Sequence, residues 1–199
     1  MARWEPNAPE RLVRAALDLF VERGYDATTV AEIADRAGLT KSTFFRHFAD
    51  KREVLFRGQG DTAARFAEAI RDAPAGTTTV GCLAAALESV ADTFTEERRA
   101  LARQRRAVIE AHSELKEREL LKMARVRAAV AEALRDRGVD DATVLLATEL
   151  GILALAASYV RWTETPDGPS YTEIAHATLS DLQERAAELG AEGVRQPGV

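Results

Sequence analysis

The sequence predicts an all-α fold, with a compact three-helix domain at the N-terminus followed by a larger helical bundle. Three observations carry this. Apolar residues return every three or four positions along most of the chain, capping and breaking residues cut those stretches into helix-sized segments, and no useful stretch alternates in the manner of a strand. With 199 residues, 46% apolar and 30% charged, 12 Gly and 6 Pro, the chain can bury a core and has the make-up of one or two soluble domains. It contains no internal repeat.

Leu12, Val13, Ala16, Leu17, Phe20 and Val21 form the apolar stripe of a first helix, and Gly24 follows as its C-terminal cap. Asn7 stands three residues before Glu10, and Thr29 three before Glu32; both pairs have the spacing of a capping box. A second helix therefore starts near Val30 and stops before Gly38. Thr40 opens a third, short helix that runs to about His47. Asp50 and Glu53 repeat the capping spacing and open a longer helix through Val54, Leu55, Phe66 and Ile70, which Pro74 and Gly76 end. Further helices are expected near 78–95, 97–111, 114–137, 141–163 and 170–189, separated by Gly138, the turn at Thr165–Pro169 and polar stretches. The tail from Gly190 is expected to fray. The expected organisation is thus a three-helix domain over 1–49, a connecting helix over 50–72 and a helical bundle over 73–199.

Composition excludes several classes. A single Cys, Cys82, makes no internal disulfide, and His47, His112 and His176 are too far apart in sequence to form a metal-ligand cluster, so no metal and no cofactor is expected. Cys82 reads as a small buried filler. The N-terminal residues lack the apolar core of a signal sequence, and the longest apolar run, Val144 to Val160, is short for a bilayer span and contains Glu149. A cytoplasmic protein with no membrane partner is expected. No nucleophile stands beside a base at any recognisable spacing, so no catalysis is expected either.

The net charge of −5 divides unevenly: residues 1–57 carry +1 and the remainder −6. Within 36–57 there are 6 basic residues against 2 acidic ones, the only short window whose sign favours phosphate. The same window overlaps Ala31 to Phe48, AEIADRAGLTKSTFFRHF: a short helix, a turn with Gly, and a second short helix. This is the order of a helix-turn-helix. Ala34 is small where two helices cross, Gly38 supplies the turn, and Ile33, Leu39 and Phe44 pack against the first helix. Lys41, Ser42, Thr43, Arg46 and His47 are left on the outer face, and small hydroxyls flanked by cations suit a major groove. Thr40, at the helix start, can meet phosphate. A helical hairpin with a solvated polar face has the same spacing, so pattern alone leaves both readings open.

The stretch Leu12 to Leu55, including FVERGYDATTVAEIADRAGLTKSTFFRHFADKREVL, resembles the DNA-binding domain of the tetracycline-repressor (TetR) family of bacterial transcription regulators. The resemblance rests on Phe20 followed by Gly24 and Tyr25, the Thr-Thr-Val start, the Ala-Gly turn, and the ending with Phe45, Phe48 and Lys51. It implies a homodimer whose two recognition helices enter successive major grooves of a near-palindromic double-stranded DNA operator, with a larger C-terminal domain that binds a small ligand and dimerises. It also implies phosphate contacts from Thr28 and Thr40, base contacts from Lys41, Ser42 and Thr43, and backbone contacts from His47 and Lys51. Phe45 stands where the family usually has Tyr, which removes a hydroxyl contact and leaves ring packing against sugar or a thymine methyl. Arg46 sits at a variable position.

The C-terminal residues give less specific candidates. Arg105 shares a helical stripe with Leu101, Val108 and His112, so the guanidinium and imidazole either enter the interior toward a ligand or pair with acids at a domain edge. Glu149 shares a stripe with Leu145, Ile152, Leu153 and Ala156 and needs a partner; structural pairing is favoured over a ligand contact. Tyr159 and Trp162 either line a pocket or anchor packing, and Met123, Val126, Val130 and Leu134 read as core. The stretch RRAVIEAHSELKERELLKMARVRAAVAEALRDRG resembles a TetR subgroup with acyl-CoA-like ligands, which implies a small amphipathic effector. Helices near 141–163 and 170–189 are expected to form the dimer interface, the second through a seam of Tyr171, Ala175, Thr178, Leu182 and Leu189.

Overall fold

The computed structural model describes residues 7–56 and 61–192. Among them are ten α-helices and one 3-10 turn: α1 (Ala8–Arg23), α2 (Val30–Arg36), α3 (Lys41–His47), α4 (Glu53–Phe56), α5 (Thr62–Asp72), α6 (Thr79–Ser89), the turn (Ala91–Thr93), α7 (Glu96–Ala111), α8 (Ser113–Asp136), α9 (Asp141–Glu164) and α10 (Tyr171–Glu192). The fold is all-α, as expected.

The chain divides into two compact units. The first holds the chain up to residue 60 together with Ala100–Glu119, and the second holds Asp61–Arg99 together with the chain from residue 120 onward. This differs from the expected contiguous division at 49 and 72. The reason is apolar burial: Val108, Ile109 and Leu115 belong to the same core as Leu12, Phe20, Ile33 and Phe44.

In the first unit, local chemistry sets each helix end. The Thr29 capping box forms, with the Thr29 hydroxyl accepting from the Glu32 N–H and the Glu32 carboxylate accepting from the Thr29 N–H at 2.8 Å. The corresponding box at Asn7 does not form, since its side chain makes no cap bond; α1 starts instead with Pro in its first turn, where a missing N–H costs nothing. Leu19 is buried in α1, while Val21, assigned to the core by its spacing, is 57% exposed. Gly38, at φ +64°, turns the chain between α2 and α3, and the Leu39 N–H donates to the Ala34 carbonyl at 2.8 Å. Thr40 caps α3 by accepting from the Thr43 N–H at 3.1 Å.

The single helix expected over 50–72 is two helices. Asp50 accepts from the Glu53 N–H at 3.0 Å and opens α4, whereas Asp61 accepts from the Ala64 N–H at 3.1 Å and gives α5 its own start. Residues 57–60 between them lie outside the described residues.

The second unit is built around α6, α9 and α10. Val144, Thr148, Gly151, Leu155, Ser158 and Trp162 form one buried stripe of α9. Gly151 lets Leu83 of α6 approach, as a Cβ there would lie 3.0 Å from Leu83 Cδ2. The α9 helix has the length and composition of a membrane span, and that stripe is instead buried inside its own unit. Cys82, Val126, Val130 and Leu134 are core, and Met123 is half-buried. Tyr171, Ala175 and Thr178 of the expected α10 seam are buried within this one chain, whereas Leu189 is 72% exposed. The expected fraying of the tail falls on Gly190 to Val199; α10 runs to Glu192, and 193–199 lie outside the described residues.

Candidate functional site

Two aromatic side chains hold α3 in place. Phe44 and Phe48 are buried with their rings 5.3 Å apart, and this fixes which residues face outward. Lys41, Ser42, Phe45 and Arg46 are exposed and form a ridge of two pairs at four-residue spacing. Phe45 is 50% exposed, an unusual solvent position for an aromatic ring, with the Lys41 Nζ 5.9 Å from its centroid. Thr40 is exposed and Thr43 half-buried, and their hydroxyls lie 3.0 Å apart. His47 is half-buried.

The basic window is less free than its count suggests. Arg36 pairs with Glu22 at 2.7 Å, Arg52 pairs with Asp50 at 2.6 Å, and Arg57 lies outside the described residues. Lys51 donates to the carbonyls of Tyr25 at 2.7 Å, Thr28 at 3.1 Å and Asp26 at 3.4 Å, with its ammonium 4.3 Å from the Tyr25 ring centroid. These bonds tie down the loop before α2. Thr28 is 2% exposed, and its hydroxyl donates to the Gly24 carbonyl at 2.8 Å. Among the described residues, Lys41 and Arg46 are the cations of the window that neither a carboxylate nor a carbonyl holds.

Arg105 and His112 also belong to the first unit. Arg105 is 8% exposed; its Nε donates to the Leu55 carbonyl, and its Nη2 donates to Glu119 at 2.8 Å. Arg118 pairs with Glu53, and both guanidiniums stand over the Phe56 ring, at 5.4 Å for Arg105 and 5.0 Å for Arg118. The short α4 is therefore clasped at both ends by α7 and α8. The sequence hid this role of Arg118, since its partner Glu53 is 65 positions away. The His112 ring lies 5.1 Å from that of Tyr25, and its Nδ1 is 2.8 Å from the Val108 carbonyl. Burial pushes the Tyr25 hydroxyl up to about 12.

In the second unit, Glu149 is half exposed and bonds Arg127 at 2.5 and 3.1 Å, a surface ion pair that holds its carboxyl below the usual range. Tyr159 and Trp162 do come together, in an aromatic cluster with Phe94 and Tyr171. Phe94 stacks on Tyr171 at 4.1 Å and meets Trp162 at 5.4 Å and Tyr159 at 5.8 Å. Arg99 lies over Trp162 at 5.2 Å and donates to the carbonyls of Trp162, Thr165 and Pro169. Its guanidinium thereby closes the C-terminus of α9. No group of three or more His, Cys, Asp or Glu placed to hold a metal occurs among the described residues.

A profile described as bacterial regulatory proteins, tetR family, matches residues 12–57, and one described as MftR C-terminal domain matches residues 77–187. The transcriptional regulator TcmR of Streptomyces glaucescens is 37% identical over 81 residues, which are 41% of this chain and 36% of that relative. The chain thus matches about a third of that curated relative's length. Among solved structures, the TetR-family regulator PfmR of Thermus thermophilus is 25% identical with a TM-score of 0.53, covering 86% of this chain and 96% of that one. FadR of Bacillus subtilis, solved in complex with stearoyl-CoA, is 18% identical with a TM-score of 0.61, covering 87% and 96%, a likeness of fold. The outward ridge on α3, the Gly38 turn that presents it and the two matching profiles, one over each half, lead to one conclusion: the chain belongs to the TetR family of DNA-binding transcriptional regulators.

Proposed function

We propose that this regulator is a homodimeric, ligand-responsive repressor of a near-palindromic operator, with a small amphipathic, acyl-CoA-like molecule as effector. The observation that carries the DNA part is the ridge of Lys41, Ser42, Phe45 and Arg46, free on a helix whose opposite side is locked into the core. Arg46 and Lys41 suit phosphate or guanine, Ser42 suits several base edges, and the Phe45 ring suits a thymine methyl. Such a regulator acts on chromosomal DNA in the cytoplasm, without a membrane partner.

Dimerisation is supported by apolar exposure. Leu145, Leu146 and Leu153 on α9 are 69, 66 and 52% exposed, and Leu189 on α10 is 72% exposed. A two-fold pairing of identical faces removes such leucines from water in one step. The face offered for this is the outer one, since the expected α10 seam is used inside the chain.

The ligand class is supported by the apolar stripe and aromatic cluster of the second unit, and by the stearoyl-CoA held by B. subtilis FadR. Switching has a handle in α4, held by Arg105 of α7 and Arg118 of α8, helices whose residues continue into the second unit. A ligand favouring another setting of those helices re-spaces two recognition helices that must match grooves about 34–36 Å apart. A coupling of about 1–3 kcal/mol is enough to lower operator affinity measurably. The test is a gel shift on the DNA upstream of the coding sequence, titrated with stearoyl-CoA. The reading expects a retarded complex that the ligand weakens; a complex unmoved by ligand makes the regulator constitutive, and no complex removes the operator assignment.

A further inference from the structure

We infer that the second unit recognises a largely apolar ligand with oxygen functions inside its apolar body, hydrogen-bonded by Thr148, Ser158 and Tyr171. The inference rests on the ligand-responsive reading and narrows its ligand class. These residues are 2, 0 and 1% exposed, yet Thr148 Oγ1, Ser158 Oγ and Tyr171 Oη have no hydrogen-bond partner. Burying a hydroxyl in this state opposes folding.

Two other buried hydroxyls of the same unit are satisfied. Thr163 Oγ1 donates to the Val160 carbonyl at 2.8 Å, and Thr178 Oγ1 accepts from Arg161 at 3.0 Å. A helical Ser or Thr can always turn back to the carbonyl one turn earlier, as Thr163 does. Thr148 and Ser158, on the same helix, do not.

Their placement is orderly. Thr148 and Ser158 lie on one buried stripe of α9 and, ten residues apart, are separated by about 15 Å along its axis. Gly151 and Leu155 lie between them, with Leu83 against Gly151. Tyr171 belongs to the Ser158 end: Trp162, one turn past Ser158, has its ring 6.5 Å from that of Tyr171. Burial keeps the Tyr171 hydroxyl protonated, so it donates. Two polar ends separated by an apolar middle suit a long molecule with a hydroxyl or carbonyl in its body. A plain alkyl chain leaves all three hydroxyls unpaired, and sites built around a hydrogen bond discriminate strongly against analogues that lack it.

The experiment uses the full chain and two probes, stearic acid and 12-hydroxystearic acid, titrated by calorimetry into wild type, Thr148→Val, Ser158→Ala and Tyr171→Phe. Thermal unfolding and DNA affinity of the ligand-free proteins are measured in parallel. Wild type is expected to prefer the hydroxy acid by about tenfold or more. Each variant is expected to narrow that preference while unfolding at the same or a higher temperature. Equal affinity for the two acids, binding of neither, or a preference that survives all three substitutions overturns the inference. Variants that unfold earlier without a change of preference also overturn it, since the hydroxyls are then structural. DNA affinity separates the two levels: its absence in wild type counts against the operator reading, and a lost preference alone counts only against this assignment.

Discussion

The two units differ in how they treat buried hydroxyls and charges. In the first, the Thr28 hydroxyl, the Lys51 ammonium and the Arg105 guanidinium each end on main-chain carbonyls or a carboxylate, although the amide oxygen of half-buried Gln104 departs from this. In the second, three fully buried hydroxyls on α9 and α10 have no partner. The first unit ties its buried charges to carbonyls and a carboxylate and offers its chemistry outward, on α3. The second unit keeps its unsatisfied chemistry inside. A DNA reader needs a rigid ridge, and a sensor needs an interior that a ligand completes.

The sharpest break of this comparison is Phe44→Ala. Phe44 is fully buried and sets the orientation of α3, so its truncation should cost about 3–5 kcal/mol in urea unfolding, read by hydrogen exchange at the α3 amides, and should abolish DNA binding. Arg105→Leu comes next. It strips the Leu55 carbonyl and Glu119 of a charged donor and should cost about 2 kcal/mol, whereas Ser158→Ala should cost nothing; similar losses in both variants would erase the contrast.

Surface variants of α3 should leave stability alone and change recognition. Ser42→Ala should alter preference at one base pair by about 1–3 kcal/mol, and Arg46→Ala should weaken all DNA and reduce the salt slope by about 1. Lys51→Met should do the reverse, lowering stability by about 1 kcal/mol with an unchanged salt slope, because its protons serve carbonyls. An unchanged melting temperature with a shallower slope would return Lys51 to phosphate.

The smallest effect concerns pH. The Thr29 N–H and hydroxyl hold the Glu32 carboxyl below its ordinary value of 4.5. A carboxyl lowered by folding contributes stability that is present above 4.5 and is lost as pH falls through the folded value. Glu32→Gln should therefore lower stability slightly at neutral pH, converge with wild type in acid, and so flatten the acid limb of unfolding.

This contrast also explains what the sequence made legible. The recognition unit announces itself because its determinants are local: the Thr29 box, the Gly38 turn and the Thr40 cap each act within a few residues. Roles made by distant partners were hidden. Lys51 meets carbonyls 23 to 26 residues away, and Arg105 meets one 50 residues away, so helical spacing placed Arg105 on a plausible interior stripe without naming its neighbours. The long helix expected over 50–72 runs through Asp61, whose capping role follows only from its bond to Ala64. For Thr148 and Ser158 a signal was present, two hydroxyl residues on the inner stripe of an otherwise apolar helix; their lack of partners is visible only in three dimensions.

The most direct test of the central claim, that α3 presents a finished reading head used in pairs, is selection of duplex DNA from a randomised pool by the full chain, followed by anisotropy on the selected site. The account predicts an inverted repeat with half-site centres about 10 base pairs or a multiple apart, bound with a steep salt dependence and re-specified by Ser42→Ala. Failure to enrich any sequence, or enrichment that Ser42→Ala and Arg46→Ala leave untouched, would contradict it.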